Sequence, residues 1–245
     1  MQLDKIIFDH GALHFELIEA LSCFRQLHSI ARDEAALHAH LTGSGRPFRV
    51  TLEGTMEGVS DPDVARFVGP VAESIDIALA VYRRQLIVVI VSIVEAAIAD
   101  AFTVLFAYRP ETIKGLSKDA GSDGFNTAVS IDELMTASRL DDLRLGVVER
   151  AVAYACQGRS KKTVLRRLAR LYSDEVERTS EEGFVELVER RNMIVHENSK
   201  KDITNVDIEN AFDGAMTFVK ELGKLVSRRG LPIHDPMQVC DGQLS

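Results

Sequence analysis

The sequence predicts a mainly α protein, and three observations carry the prediction. Apolar residues recur at helical spacing over most of the 245 residues. Prolines number only 6 and glycines 16, too few for a disordered or fibrous chain. Ser/Thr residues followed three positions later by an acid open several of the periodic stretches, as helix starts do. The architecture expected is a helical bundle behind a helical N-terminal extension, with room for one short strand.

Taken in order, the first helix is expected from Gly11 to about Leu41, with Leu13, Phe15, Leu17, Ile18, Leu21, Phe24 and Leu27 as its apolar set. Thr-Gly-Ser-Gly-Arg-Pro stops it. Phe48, Val50 and Leu52 then alternate with polar neighbours, the strand signal. Asp61-Pro62-Asp63 suits a helix start, and a helix from about Ala72 runs through an apolar segment to stop before Pro110. Lys118 to Asn126 reads as a loop. Ser130-Ile-Asp-Glu133 opens a helix to about Cys156, and a basic helix follows from Ser160 to about Tyr172. Thr179-Ser-Glu-Glu182 starts a helix through Phe184, Leu187 and Val188 to His196. Thr204 and Asp207 cap a last one whose apolar face holds Ile208, Phe212, Met216, Val219, Leu222 and Val226. After Gly230 the tail looks irregular. The division expected is an extension over 1–60, a bundle over 61–230 and a tail over 231–245.

Composition narrows the function classes. A formal net charge of −8 opposes a general nucleic-acid coat but leaves room for a local basic site. Cys23, Cys156 and Cys240 are odd in number and form no CxxC, so neither a disulfide framework nor a zinc cage is expected, and a reducing compartment is. The start, MQLDKIIFDH, lacks the basic opening and apolar run of a signal peptide, so a cytoplasmic location is expected. Leu86 to Tyr108 is long enough to span a membrane, yet Glu95 and Asp100 lie inside it. A buried core helix is the expectation, without membrane contact.

Two histidine groups invite a metal reading. His38 and His40, near His28 and Asp33, are two apart and do not share a helix face. His10 and His14 are four apart, but nothing around them is expected to converge on them. No metal site and no cofactor are expected, and no Gly-rich phosphate loop, GxSxG or HExxH is present.

The stretch ERRNMIVHENS, Glu189 to Ser199, carries the sharpest chemistry. On a helix Asn192 and His196 share a face, whereas Arg191 lies about 140° round the axis from His196. Histidine can move a proton near neutral pH, taking one from an RNA 2′-hydroxyl or giving one to a leaving oxygen. Arginine can clamp the charge that builds on a phosphate in the transition state, and asparagine can orient either group. The ordinary alternative is that an arginine and a histidine near a helix end complement its dipole.

RRNMIVHE resembles the R-[ND]-x-x-x-H signature of the HEPN superfamily, here Arg191, Asn192 and His196. FVELVERRNMIVHENSKKDI is similar to the RiboL-PSP-like bacterial branch, and the helix order over roughly residues 72 to 229 fits that layout. The resemblance implies a metal-independent endoribonuclease that leaves 2′,3′-cyclic phosphate ends, with His196 as acid/base, Arg191 as clamp and Asn192 as orienting group. It implies a homodimer whose two motif helices face one composite cleft, which would remove the 140° difficulty. It further implies that an acid on the apolar helix, Glu95, faces the motif. Many members are toxins or anti-phage effectors with an antitoxin. The tyrosine often found two after the histidine is Asn198 here, which weakens any case for a nucleotidyltransferase antitoxin.

Arg159, Lys161, Lys162, Arg166, Arg167 and Arg170 crowd one short stretch, at and within the basic helix, without an acid. They read either as an RNA-backbone contact, a structured RNA or transfer RNA being the partner, or as a solvated face balancing the acids that follow. From a different class, the fold can equally be a non-catalytic helical module that binds RNA, a nucleotide or a protein.

Overall fold

A computed structural model describes residues 5–118, 125–137, 139–158, 160–196 and 202–240. The fold is mainly α. Its elements are β1 (Phe8–Asp9), α1 (His10–Ala31), α2 (Glu34–Thr42), β2 (Phe48–Val50), β3 (Met56–Gly58) and α3 (Asp61–Tyr108). A 3-10 helix (Pro110–Lys118) is followed by α4 (Ile131–Thr136), α5 (Leu140–Cys156), α6 (Lys161–Tyr172), α7 (Arg178–His196), α8 (Asn205–Arg228) and β4 (Ile233–His234).

The chain folds as two compact units that do not follow sequence order. One gathers residues 1–17, 87–199 and 210–245, and the other residues 18–86 and 200–209. This differs from the linear division at 60 and 230, because α1, α3 and α8 each contribute to both units.

The first unit is built on the second half of α3. Ile87, Ile90, Val91, Val94, Ala97, Phe102 and Phe106 are buried, and just over half of its apolar window is covered by the rest of the chain. That burial agrees with the core-helix expectation. Phe184 of α7 stacks on Phe218 of α8 at 4.7 Å between ring centres. Tyr172, the last residue of α6, is fully buried, and its hydroxyl donates to the Ala101 carbonyl at 2.7 Å. Burial pushes that phenol well above its ordinary pKa. The α6 C-terminus turns at Ser173, which takes φ 49° so that its N–H and that of Asp174 reach the last carbonyls.

The tail is not irregular as expected. Ile233 and His234 pair in parallel with Phe8 and Asp9, and His234 Nδ1 lies 2.9 Å from Asp9 Oδ1. A two-residue strand has no readable period, so this pairing leaves no local trace in sequence.

The second unit holds the rest of α1, with α2, the β2–β3 hairpin and the first half of α3. A small core joins Leu41, Val59 and Val64. The expected single first helix is interrupted at Arg32-Asp33, where the Asp33 carboxylate accepts from the Ala36 N–H at 2.9 Å and caps α2. Of its predicted apolar set, Phe15, Ile18 and Leu27 are exposed, while Leu13, Leu17, Leu21 and Phe24 are buried. The expected strand is real and pairs antiparallel with a second one. Helix α3 starts at Asp61, with the Ser60 hydroxyl donating to Asp63 Oδ2 at 2.6 Å, and it passes through Pro70.

Two other helices differ from the reading. The helix expected from Ser130 to Cys156 breaks between α4 and α5, and α7 begins at Arg178, so Thr179 lies inside it. At Thr204 the expected capping box forms: its hydroxyl accepts from the Asp207 N–H at 3.2 Å, and Asp207 Oδ2 accepts from the Thr204 N–H at 2.9 Å.

Candidate functional site

The site lies in the first unit, where α3, α6 and α7 meet. Arg191 sits two turns after buried Phe184 and one turn after buried Leu187 and Val188, on a flank of α7 that is only half-buried. Glu95 stands at the edge of the buried face of α3. The two meet: Arg191 Nη2 donates to Glu95 Oε1 at 2.9 Å. Lys161, the first residue of α6, brings its Nζ to the same oxygen at 2.8 Å. Side-chain exposures of 22% for Arg191 and 29% for both Glu95 and Lys161 make this a half-buried cluster. Two cations share one carboxylate, which leaves the group one positive charge.

Cys156 lies close enough to feel both Lys161 and Glu95. Burial pushes its thiol pKa up, and Lys161 does not overcome that. The thiol therefore stays protonated and is no nucleophile at neutral pH.

His196 ends α7 and is exposed, as is Asn192 on the same face. Glu95 thus engages Arg191 of the motif it was expected to face. Glu197 and Asn198 lie outside the described residues, as does Arg159.

The six basic residues of the α6 region divide by face. Lys162 and Arg166 are exposed. Arg170 is exposed and donates to the Gly115 carbonyl at 3.2 Å. Lys161 is held by Glu95. Arg167 needs a correction, because it is buried and unavailable to RNA. Its guanidinium donates to the carbonyls of Tyr154 and Ala155 at 3.1 and 3.2 Å, and to that of Gln157, closing the C-terminus of α5. It also lies 5.1 Å from the Tyr154 ring centre.

Among the described residues, the histidines near α2 gather no ligand set. His38 and His40 are exposed, Asp33 is engaged as a cap, and His28 shares a hydrogen bond with Asn205 at 2.5 Å. At His10 the expectation of no convergence fails, since the tail carries Asp235 and Cys240 to it from more than 220 residues away. No spacing rule links such distant residues, so the sequence held no signal of it.

Comparison with family models, with curated proteins and with solved structures gave no match.

Proposed function

We propose that this chain is an HEPN-type endoribonuclease which cleaves RNA through attack of the 2′-hydroxyl, leaving a 2′,3′-cyclic phosphate. The observation that carries the reading is the Glu95–Arg191 ion pair, formed on the helix that ends at an exposed His196. Exposure leaves the imidazole open to a substrate oxygen, where it can take or return a proton. Glu95 holds Arg191 in one orientation, so the guanidinium meets a phosphate without reorganising. Lys161 keeps the cluster positive, and Lys162 and Arg166 on the same helix offer exposed charges to the backbone.

Within one α7 helix, Arg191 and His196 point to different sides. A homodimer in which the arginine of one copy serves the histidine of the other assembles the site, and RNA with an unpaired strand fits such a cleft. A cytoplasmic toxin or anti-phage effector held in check by an antitoxin fits this chemistry.

The second reading, a non-catalytic RNA-, nucleotide- or protein-binding module, draws on the same ion pair: an arginine already neutralised by Glu95 can be structural. Purified protein incubated with total and transfer RNA in excess chelator separates the two, with circular dichroism confirming the fold. Cleavage to cyclic-phosphate ends is expected, falling at least about 100-fold in His196→Ala and Arg191→Ala. RNA bound but uncut by the wild type would support the module, and equal cleavage by all three proteins would refute the assigned site.

A further inference from the structure

The start of α1 and the last described residues meet at a buried cluster that the ribonuclease reading does not use. His10 is 1% exposed, and neither ring nitrogen has a hydrogen-bond partner among the described residues. Its Nδ1 lies 3.2 Å from Oδ1 of Asp235. The two atoms are close without the alignment of a hydrogen bond, and Oδ1 is likewise unsatisfied. The other carboxylate oxygen is occupied, accepting from the Cys240 backbone N–H at 2.6 Å. The Cys240 thiol is 3% exposed, and one donor atom each from His10, Asp235 and Cys240 lies within 4.8 Å of the others.

Leaving the His10 nitrogens and Asp235 Oδ1 unsatisfied costs about 1–3 kcal/mol each. The unsatisfied His10 and Asp235 atoms face each other beside the Cys240 thiol, whose sulfur lies 3.8 Å from the Lys220 carbonyl oxygen in a long, weak contact that a metal would outcompete. Imidazole, thiolate and carboxylate together suit Zn²⁺, whose tetrahedral ligand atoms stand about 3.5 Å apart, a modest contraction from the spacing here. Zinc would take the imidazole in its neutral form, through a ring-nitrogen lone pair.

A fourth group stands beside these. His14, one turn along α1, stacks on His10 at 5.5 Å between ring centres, and its Nδ1 is buried without a partner. The floor is the backbone of α8. A Cβ on Gly223 would lie 2.3 Å from Cys240 Sγ and 3.3 Å from His10 Cδ2, so only glycine leaves the space. A closed shell of this kind is the structural rather than the catalytic type.

We propose that His10, Asp235 and Cys240, with His14 completing the shell, bind a zinc ion that fastens the C-terminal tail to the start of α1. Binding releases the Cys240 thiol proton to solvent, and thiolate and carboxylate together balance the charge of the metal. The β1–β4 pairing adjoins the site and aligns its two halves. The proposal is independent of the ribonuclease reading, and its test involves no RNA.

The full chain, purified without chelator, is expected to carry about one zinc by elemental analysis. After stripping, Co²⁺ added in place of zinc should give the intense visible bands of a tetrahedral centre and a thiolate-to-cobalt charge-transfer band. That band should vanish in Cys240→Ser and persist in Cys23→Ser. Zinc should raise the Tm of the stripped wild type and not that of His10→Gln. His14→Gln should bind zinc at least tenfold more weakly, and unchanged affinity there would overturn the four-residue shell. A stripped wild type that gives neither the cobalt spectrum nor a zinc-dependent Tm would overturn the site, leaving a buried water as the partner of His10.

Discussion

Glu95 is the residue whose removal tests the site most directly, because two cations depend on one of its oxygens. Exposed ion pairs contribute about 0–1 kcal/mol and fully buried ones lose about 3–5 when one partner is removed, so this half-buried group falls between. Glu95→Gln keeps the shape and leaves Arg191 and Lys161 to repel each other. A loss of about 1–2 kcal/mol in urea unfolding is expected. Adding Lys161→Met should recover part of it, and strictly additive losses would deny the shared oxygen. Ser173 offers a test in the opposite direction. It holds φ 49° to close α6, a conformation that costs a residue with a Cβ about 1 kcal/mol and glycine almost nothing. Ser173→Gly should therefore stabilise the protein by roughly 0.5–1 kcal/mol, read as a rise in Tm.

At the scale of elements, Arg167 shows a charged residue serving two helices at once. It stands on the apolar face of α6, three after Val164 and four before Leu171, and caps the end of α5 from there. Arg167→Ala should cost about 2–3 kcal/mol, since it strips charged donors from buried carbonyls. Arg167→Lys should restore little, because a point charge cannot replace the planar fork. Circular dichroism melts of both variants check this, and full rescue by lysine would point to charge rather than geometry. The burial of Arg167 was legible in that spacing, but counting six basic residues as one patch hid it. Helices α6, α7 and α8 were legible because each buries a face at a steady helical period. The start of α3 at Asp61 was legible, but its continuity with the helix read from about Ala72 was not, because Pro70 lies between them and the helix runs through it. The breaks at Arg32-Asp33 and between α4 and α5 were missed for the converse reason, that apolar periodicity continues across both. For the candidate site, the acid inside an apolar run marked Glu95, whereas Lys161 as its second partner needed the packing of α6. The approach of the tail to His10 depends on chain topology alone.

For the whole molecule, each compact unit carries a carboxylate–guanidinium pair that ties stability to pH in the same direction. In the second unit, Arg25 donates to Glu209, with Nε to Oε1 at 2.9 Å, and this hydrogen bond holds the Glu209 pKa below its ordinary value. In the first, burial pulls Asp174 upward, but hydrogen bonds from Arg228 and from the Glu175 N–H outweigh it and leave its pKa lowered. A carboxylate whose folded pKa is depressed contributes stability that is fully present above its unfolded value and is lost as pH falls through the folded one. Net charge works against this at first. The chain carries −8 at pH 7 with a pI near 5.4, so mild acidification relieves self-repulsion before either pair is touched. Stability in urea should therefore hold or rise slightly from pH 7 towards the pI, then fall once the pH drops below about 4, where unfolded carboxylates take up protons. Glu209→Gln and Asp174→Asn should each lower stability at pH 7 by on the order of 0.5 kcal/mol and flatten the acid limb, because the variant has no proton to gain. An acid limb as steep in both variants as in the wild type would show that the pairs do not hold their carboxylates ionised. A limb flattened in only one would assign the acid sensitivity to the unit that contains it.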